Sequence, residues 1–149
     1  MTDGRVRPIA IAVIKRGDDI LVFEGYDPGK LEVFYRPLGG GIEFGEYGDQ
    51  ALRREMIEEL GVELGQVRYL GALENIYNYD GRLGHEIVQV YEAMPADPSL
   101  YEREHMTGYE DNGTQFHVMW KPLAGFLAGE APLYPDGLLE MLTGQKPSG

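Results

Sequence analysis

Three glutamates, Glu55, Glu58 and Glu59, follow a glycine-rich stretch, Gly39-Gly40-Gly41, within a run of helix-forming residues. At about 100° of rotation per residue their side chains fall within roughly one third of a helix circumference. Leu52, Met56 and Leu60 form an apolar stripe beside them. Carboxylates at this spacing repel one another, by about 4 kcal/mol for two unit charges roughly 4 Å apart at an effective dielectric near 20. Such a face calls for a neutralising partner. Hard oxygen ligands on a rigid element suit Mg²⁺ or Mn²⁺, which are held by a few carboxylates together with substrate phosphates. The competing reading is a solvated acidic face.

The elements that must position these acids can be outlined from pattern. The helix is expected to begin near Tyr47 to Asp49 and to end at Gly61, with Asp49 near its positive end. Gly48 is an awkward residue there, costing about 1 kcal/mol relative to alanine inside a helix. Upstream, Arg7 to Lys15 alternates as a buried strand, Arg16 to Asp19 turns, and Ile20 to Phe23 returns. Asp27 to Lys30 is a further turn before a strand from Leu31 to Arg36; Pro37 ends pairing, and Gly39 to Gly41 reads as a permissive turn. Downstream, Val67 to Tyr77 and His85 to Ala93 form a hairpin joined through Asn78 to Gly81 and Gly84. Asp97 to Asn112 reads as a long loop over the site. Phe116 to Trp120 is a strand, Leu123 to Ala128 a short helix, Pro135 to Leu142 a terminal helix and Gly144 to Gly149 a frayed tail. Periodicity alone gives an α+β domain.

The spacing carries more. Gly40, five residues, Glu46, seven residues, Arg54-Glu55, an apolar Met56, any residue, Glu58-Glu59, any residue, Gly61 and an apolar Val62 resemble the Nudix box with every fixed position filled. The resemblance implies a Nudix-type α/β/α sandwich with a central mixed β-sheet. It implies hydrolysis of a pyrophosphate bond in a nucleoside diphosphate linked to another moiety, with Mg²⁺ or Mn²⁺ as cofactor. It makes Glu58 and Glu59 metal ligands, and Glu55 either a ligand or the base that takes the proton of water. The carbonyl of Gly40 or Gly41 completes the coordination. Arg54 becomes the residue that fixes a neighbouring carboxylate through a bidentate pair, with Glu46 as its partner. A base from a later loop is the alternative, for which Glu102, Glu104, Glu110 and Asp111 are candidates. The rival functions are a catalytically silent nucleotide-binding sensor of the same fold, an isoprenyl diphosphate isomerase, which typically needs a cysteine that this chain lacks, and an acidic scaffold.

Outside the box, Arg5, Arg7, Arg36 and Arg82 are cations that could meet phosphates. Arg36 is favoured because it stands just before the glycines. Tyr26, Tyr35, Tyr77 and Tyr79 could stack on a base, and either side chain of His85-Glu86 could face the site; Tyr79 and Glu86 join Arg36 as substrate-binding candidates. His105, His117 and Trp120 read as structural. The substrate classes left open are dinucleoside polyphosphate, nucleoside triphosphate and nucleotide sugar. The proline-and-tryptophan signature of the NADH-cleaving Nudix group is missing. The absence of proline between Gly61 and Met94 weakens an ADP-ribose assignment. Tyr77 and Tyr79 hint at dinucleoside polyphosphate.

Composition sets the frame. A chain of 149 residues, 43% hydrophobic and 11% aromatic, is expected to be one folded domain spanning 1–149. No apolar run reaches the ~18 residues of a membrane span, and the opening Met1 to Pro8 lacks a signal-peptide core, so the expected location is cytoplasmic without membrane association. Zero cysteines exclude thiolate chemistry. A net charge of -12 argues against a nucleic-acid polymer as partner, since that affinity comes from Lys and Arg neutralising phosphates. It leaves room for a small nucleotide, and a homodimer is compatible with it.

Overall fold

In the computed structural model, strand β1 (Arg7–Val13) feeds two cores at once, because successive side chains of a strand leave opposite faces. Ala10 and Ala12 enter one core while Ile9, Ile11 and Val13 enter the other. Residues 4–148 are described; Met1–Asp3 of the opening stretch and Gly149 of the expected tail lie outside the described residues. After β1 come β2 (Lys15–Arg16), β3 (Asp19–Asp27), β4 (Glu32–Arg36), β5 (Gly39–Gly41) and helix α1 (Gly48–Leu60). A long hairpin follows, β6 (Leu64–Tyr79) and β7 (Arg82–Pro95). A 3₁₀ turn (Pro98–Glu102) then leads to β8 (His105–Tyr109), β9 (Gln115–Pro122), α2 (Leu123–Leu127) and α3 (Leu138–Thr143).

One sheet has the order β5-β1-β7-β6; it is mixed, because β1 and β7 run parallel while their outer neighbours are antiparallel. The other runs β2-β3-β9-β8, with β4 on β3, and is antiparallel throughout. Helix α1 covers one core through Leu52 and Met56, packed with Ala10, Leu21 and Trp120. The α2–α3 side covers the other through Phe126, Leu138 and Leu139. Helices on both sides make this α+β fold the expected sandwich around a mixed sheet. Leu52 and Met56 are fully buried, and burial of such side chains is worth about 1.5–3 kcal/mol each. That seats α1 firmly although its acidic face opposes helix formation.

Both ends of α1 follow local chemistry. Gln50 turns its side chain back to accept the Tyr47 N–H at 2.8 Å. Gly61 closes the helix in the left-handed region at φ 69°, its N–H reaching Ile57 O at 2.9 Å. Several expectations are corrected. Gly39 to Gly41 is strand β5, paired with β1 in the register Ile9 to Gly41 and Ile11 to Gly39. A Cβ on Gly39 would run into the carbonyl of Ala10, so glycine permits this close approach. The stretch Asp97 to Asn112 is largely structured, since it contains the 3₁₀ turn and β8. Strand β8 buries Met106 and Gly108 on one face. The hairpin strands also run beyond their expected ends, and the terminal helix starts at Leu138 rather than Pro135.

Candidate active site

Arg54 is the hub of the acidic face. Its guanidinium donates to both oxygens of Glu46 at 2.9 and 3.0 Å, to Glu55 at 3.3 Å, to Glu58 at 3.1 Å and to the Gly41 carbonyl at 3.0 Å. Glu46 also accepts the Glu43 N–H. The Arg54 hydrogen bonds, aided by that N–H, hold the Glu46 carboxyl down to about 2. A single cation thereby ties β5 to two glutamates of α1.

Glu59 and Glu55, two further carboxylates of the box, differ from Glu46 in setting. Burial, then Glu55, and further Glu110 and Asp111 push Glu59 up to about 8, although the Gly39 N–H pulls the other way. Its Oε1 is buried and has no hydrogen-bond partner. Burial also raises Glu55, opposed by Arg54 and reinforced by Glu58. The Glu55 carboxylate occupies the space where a side chain on Gly40 would stand. Among the described residues no group of three or more His, Asp or Glu side chains is already gathered to hold one ion. The buried orphan oxygen, the glycine cradle and the hard oxygen donors nevertheless fit a divalent cation.

Glu55, Glu59 and Gly40 line a cleft of about 850 Å³ that opens between the two sheets. Glu58 lines a neighbouring depression, which Glu55, Arg54, Arg7 and Asp111 share. Of the later acids, Glu110 and Asp111 reach the cleft, whereas Glu104 pairs with Arg16 at 2.9 Å. Arg36, Glu86 and Tyr79 all line the cleft. Arg36 is committed, however: it donates to Glu86 at 3.2 Å, and Glu86, 4% exposed, also accepts from Asn75 at 3.1 Å and Tyr77 at 3.4 Å. Arg7 lines both depressions with its guanidinium beside Gly41, and among the described residues no carboxylate pairs with it. The Tyr79 hydroxyl is spent on the Tyr26 carbonyl at 3.0 Å. Tyr35 is in the core. Trp120 is there too, donating its ring N–H to Arg103 O at 2.8 Å. His85 does not border the cleft, as expected of the neighbour of an inward residue on a strand.

A sequence model of the NUDIX domain matches residues 5–132. The chain belongs to the Nudix family. It is 35% identical over 68 residues to the NAD-capped RNA hydrolase NudC of Pseudomonas aeruginosa, a match covering 46% of this chain and 24% of that protein. NudC of Pseudomonas syringae pv. tomato is 31% identical over the same length, with the same coverage. The aligned region therefore spans about a quarter of these relatives. Among solved structures, a Nudix hydrolase from Nitrosomonas europaea superposes with a TM-score of 0.65 at 16% identity, covering 96% of this chain and 93% of that one. A MutT Nudix hydrolase from Burkholderia pseudomallei gives 0.56 at 23% identity, covering 80% and 85%. At these identities the likeness is one of fold.

Beyond the Nudix box the site contains residues that pattern reading missed. Asn75 is buried yet sits in a strand where it resembles any polar interruption. Asp27, 3% exposed, accepts N–H groups from Gly29, Lys30 and Asp80, tying the β3–β4 turn to the tip of the β6–β7 hairpin. Its Asp-Pro-Gly setting signals a turn, but the partner lies 53 residues away. Phe34 and Phe116 border the cleft, where alternation alone could not assign their face.

Proposed function

We propose that this chain is a Nudix pyrophosphohydrolase that cleaves a pyrophosphate bond in a nucleoside diphosphate linked to another moiety, using Mg²⁺ or Mn²⁺. The observation that carries this reading is the unpartnered, buried oxygen of Glu59 beside Glu55, inside a cleft that also presents Arg7. Glu59, Glu58 and the Gly40 carbonyl would hold the ion, with Glu58 exchanging its contact to Arg54 for the metal. Bound there, the cation supplies polarisation of the phosphate oxygens and activation of a water.

The chain's own groups do the rest. Glu55, raised by burial, accepts the proton of the attacking water. The water oxygen bonds to phosphorus as the bridging P–O bond breaks, and the bridging oxygen leaves with the second phosphoryl group. Arg54 orients Glu55 and Glu58 through the contacts described above. Arg7 faces the phosphate oxygens, where a cation offsets the charge of the chain and of its leaving group. The NudC relatives act on NAD-capped RNA by their names. For this chain a small nucleotide fits better, because a net charge of -12 opposes a long polyanion.

The test is phosphate-product analysis with NAD, a dinucleoside polyphosphate, nucleoside triphosphates and nucleotide sugars, in Mg²⁺, Mn²⁺ or chelator, on the parent and on Glu59→Gln. Metal-dependent cleavage lost in the variant is the expected result. Nucleotide binding without product would replace the enzyme by the silent sensor.

A further inference from the structure

Strand β8 ends the order β2-β3-β9-β8, and two of the chain's three histidines meet where it pairs with β9. In that ladder His105 stands opposite Met119, and Thr107 opposite His117. Side chains two positions apart share a face, so the two imidazoles are diagonal neighbours on one side of the sheet. Both residues are exposed. Nδ1 of His105 lies 2.9 Å from Nε2 of His117, with ring centroids 5.0 Å apart and ring planes inclined by 24°. Neither ring borders the cleft or the depression beside it.

A hydrogen bond between the rings accounts for the contact but adds little to stability, because water serves an exposed nitrogen about as well. What the ladder supplies is a fixed separation. Two nitrogens 2.9 Å apart, each about 2.0 Å from an ion as imidazole ligands are, subtend about 90° at it, whereas a tetrahedral ion would hold them about 3.3 Å apart. A right angle is the cis arrangement of square-planar or tetragonal Cu²⁺ and Ni²⁺, ions that imidazole suits. The neighbouring carboxylate, Glu104, is held by Arg16 at 2.9 Å. Water therefore fills the remaining positions on this open face.

We infer that His105 and His117 form a two-histidine chelate for a divalent ion of the copper or nickel type, separate from the hard oxygen donors of the Nudix box. On binding, the N–H shared by the pair moves to the far nitrogen of the donor's own ring. Both facing nitrogens then present lone pairs, and no proton is released at a pH where both rings are neutral. The ion staples β8 to β9, the hairpin that carries Glu110 and Asp111 in its connection.

The test titrates the untagged protein with Cu²⁺ and with Ni²⁺ in a weakly coordinating buffer, with Mg²⁺ in excess to compete for the carboxylates of the box. Calorimetry is expected to show one Cu²⁺ bound per chain in the micromolar range or tighter. Electron paramagnetic resonance of that complex should show splitting from two nitrogens. His105→Gln and His117→Gln should each weaken binding by about 100-fold, the loss of a second ligand already held beside the first. His85→Gln, at the remaining histidine, should leave the affinity unchanged. Ni²⁺ should raise the urea midpoint of the parent and of neither weakened variant. Circular dichroism checks the variants, and the resonance spectrum of the parent needs none of them. A single coordinated nitrogen, or affinity retained in either variant, would overturn the chelate; a parent midpoint that Ni²⁺ does not move would overturn the staple. None of these readouts requires turnover.

Discussion

The guanidinium of Arg54 closes on the carboxylate of Glu46 through two parallel hydrogen bonds, Nε to Oε2 at 2.9 Å and Nη2 to Oε1 at 3.0 Å. The fork leaves Nη1 to face Glu55 and Glu58. A lysine keeps the charge but cannot reproduce the fork. Arg54→Lys is therefore expected to lower kcat by about 10- to 100-fold, the usual range for groups that orient metal ligands. Steady-state kinetics would show this as a kcat effect, and an unchanged kcat would remove Arg54 from the positioning role.

The second prediction concerns pH without metal. Glu59 titrates near 4.5 when unfolded and about 8 when folded, so between these values the folded chain carries one proton more than the unfolded one. Its contribution to stability is then full below about 4.5 and declines as pH rises towards 8. Urea unfolding in chelator should show this decline. Glu59→Gln should flatten it, and Mg²⁺ should restore stability to the parent at the alkaline end by taking the place of the proton. A parent protein whose metal-free stability rises over the same range would contradict the buried, unpartnered carboxyl.

Gly40 tests the cradle. In Gly40→Ala the methyl group would meet the Glu55 carboxylate. The variant is expected to fold, because β5 is a short strand at the end of its sheet order, but to lose about 100-fold in turnover through displacement of Glu55. Circular dichroism with product analysis separates the two effects.

The two arginines should differ in kind. Arg7→Ala is expected to raise KM by about tenfold with little change in stability, as loss of one charge-assisted contact to a phosphate would. Arg36→Ala strips a buried carboxylate of its cation and should destabilise the fold by about 2 kcal/mol. Adding Glu86→Gln should recover most of that loss. Denaturant midpoints of the single and double variants would measure the coupling.

What was legible in the sequence follows from how local each signal is. The limits of α1 could be read because Gly61 and the apolar stripe act within a turn or two of themselves. Even the awkward Gly48 has a reason, though a distant one: a side chain there would strike the Tyr91 hydroxyl. Strand β8 was hidden because one of its two buried positions is Gly108, whose missing bulk is supplied by Phe116 from the next strand. Strand β5 was hidden because three glycines carry no strand preference, and pairing with β1 decides their conformation. At the site, the Arg54–Glu46 pair was legible from the box. The exchange of prominence between Arg36 and Arg7 was not, since it depends on Glu86, which lies 50 residues beyond Arg36.

Three cross-strand pairs beside the cleft, Gly25 with Phe34, Gly84 with Tyr77 and Gly108 with Phe116, also bear on how such a chain can change over generations. At 25 and 34, at 84 and 77, and at 108 and 116, one partner's bulk fills the other's void. A side chain gained at the glycine alone meets the ring, and a ring lost alone leaves bare backbone. Each pair is thus expected to be inherited as a unit, with divergence at one member accompanied by divergence at the other.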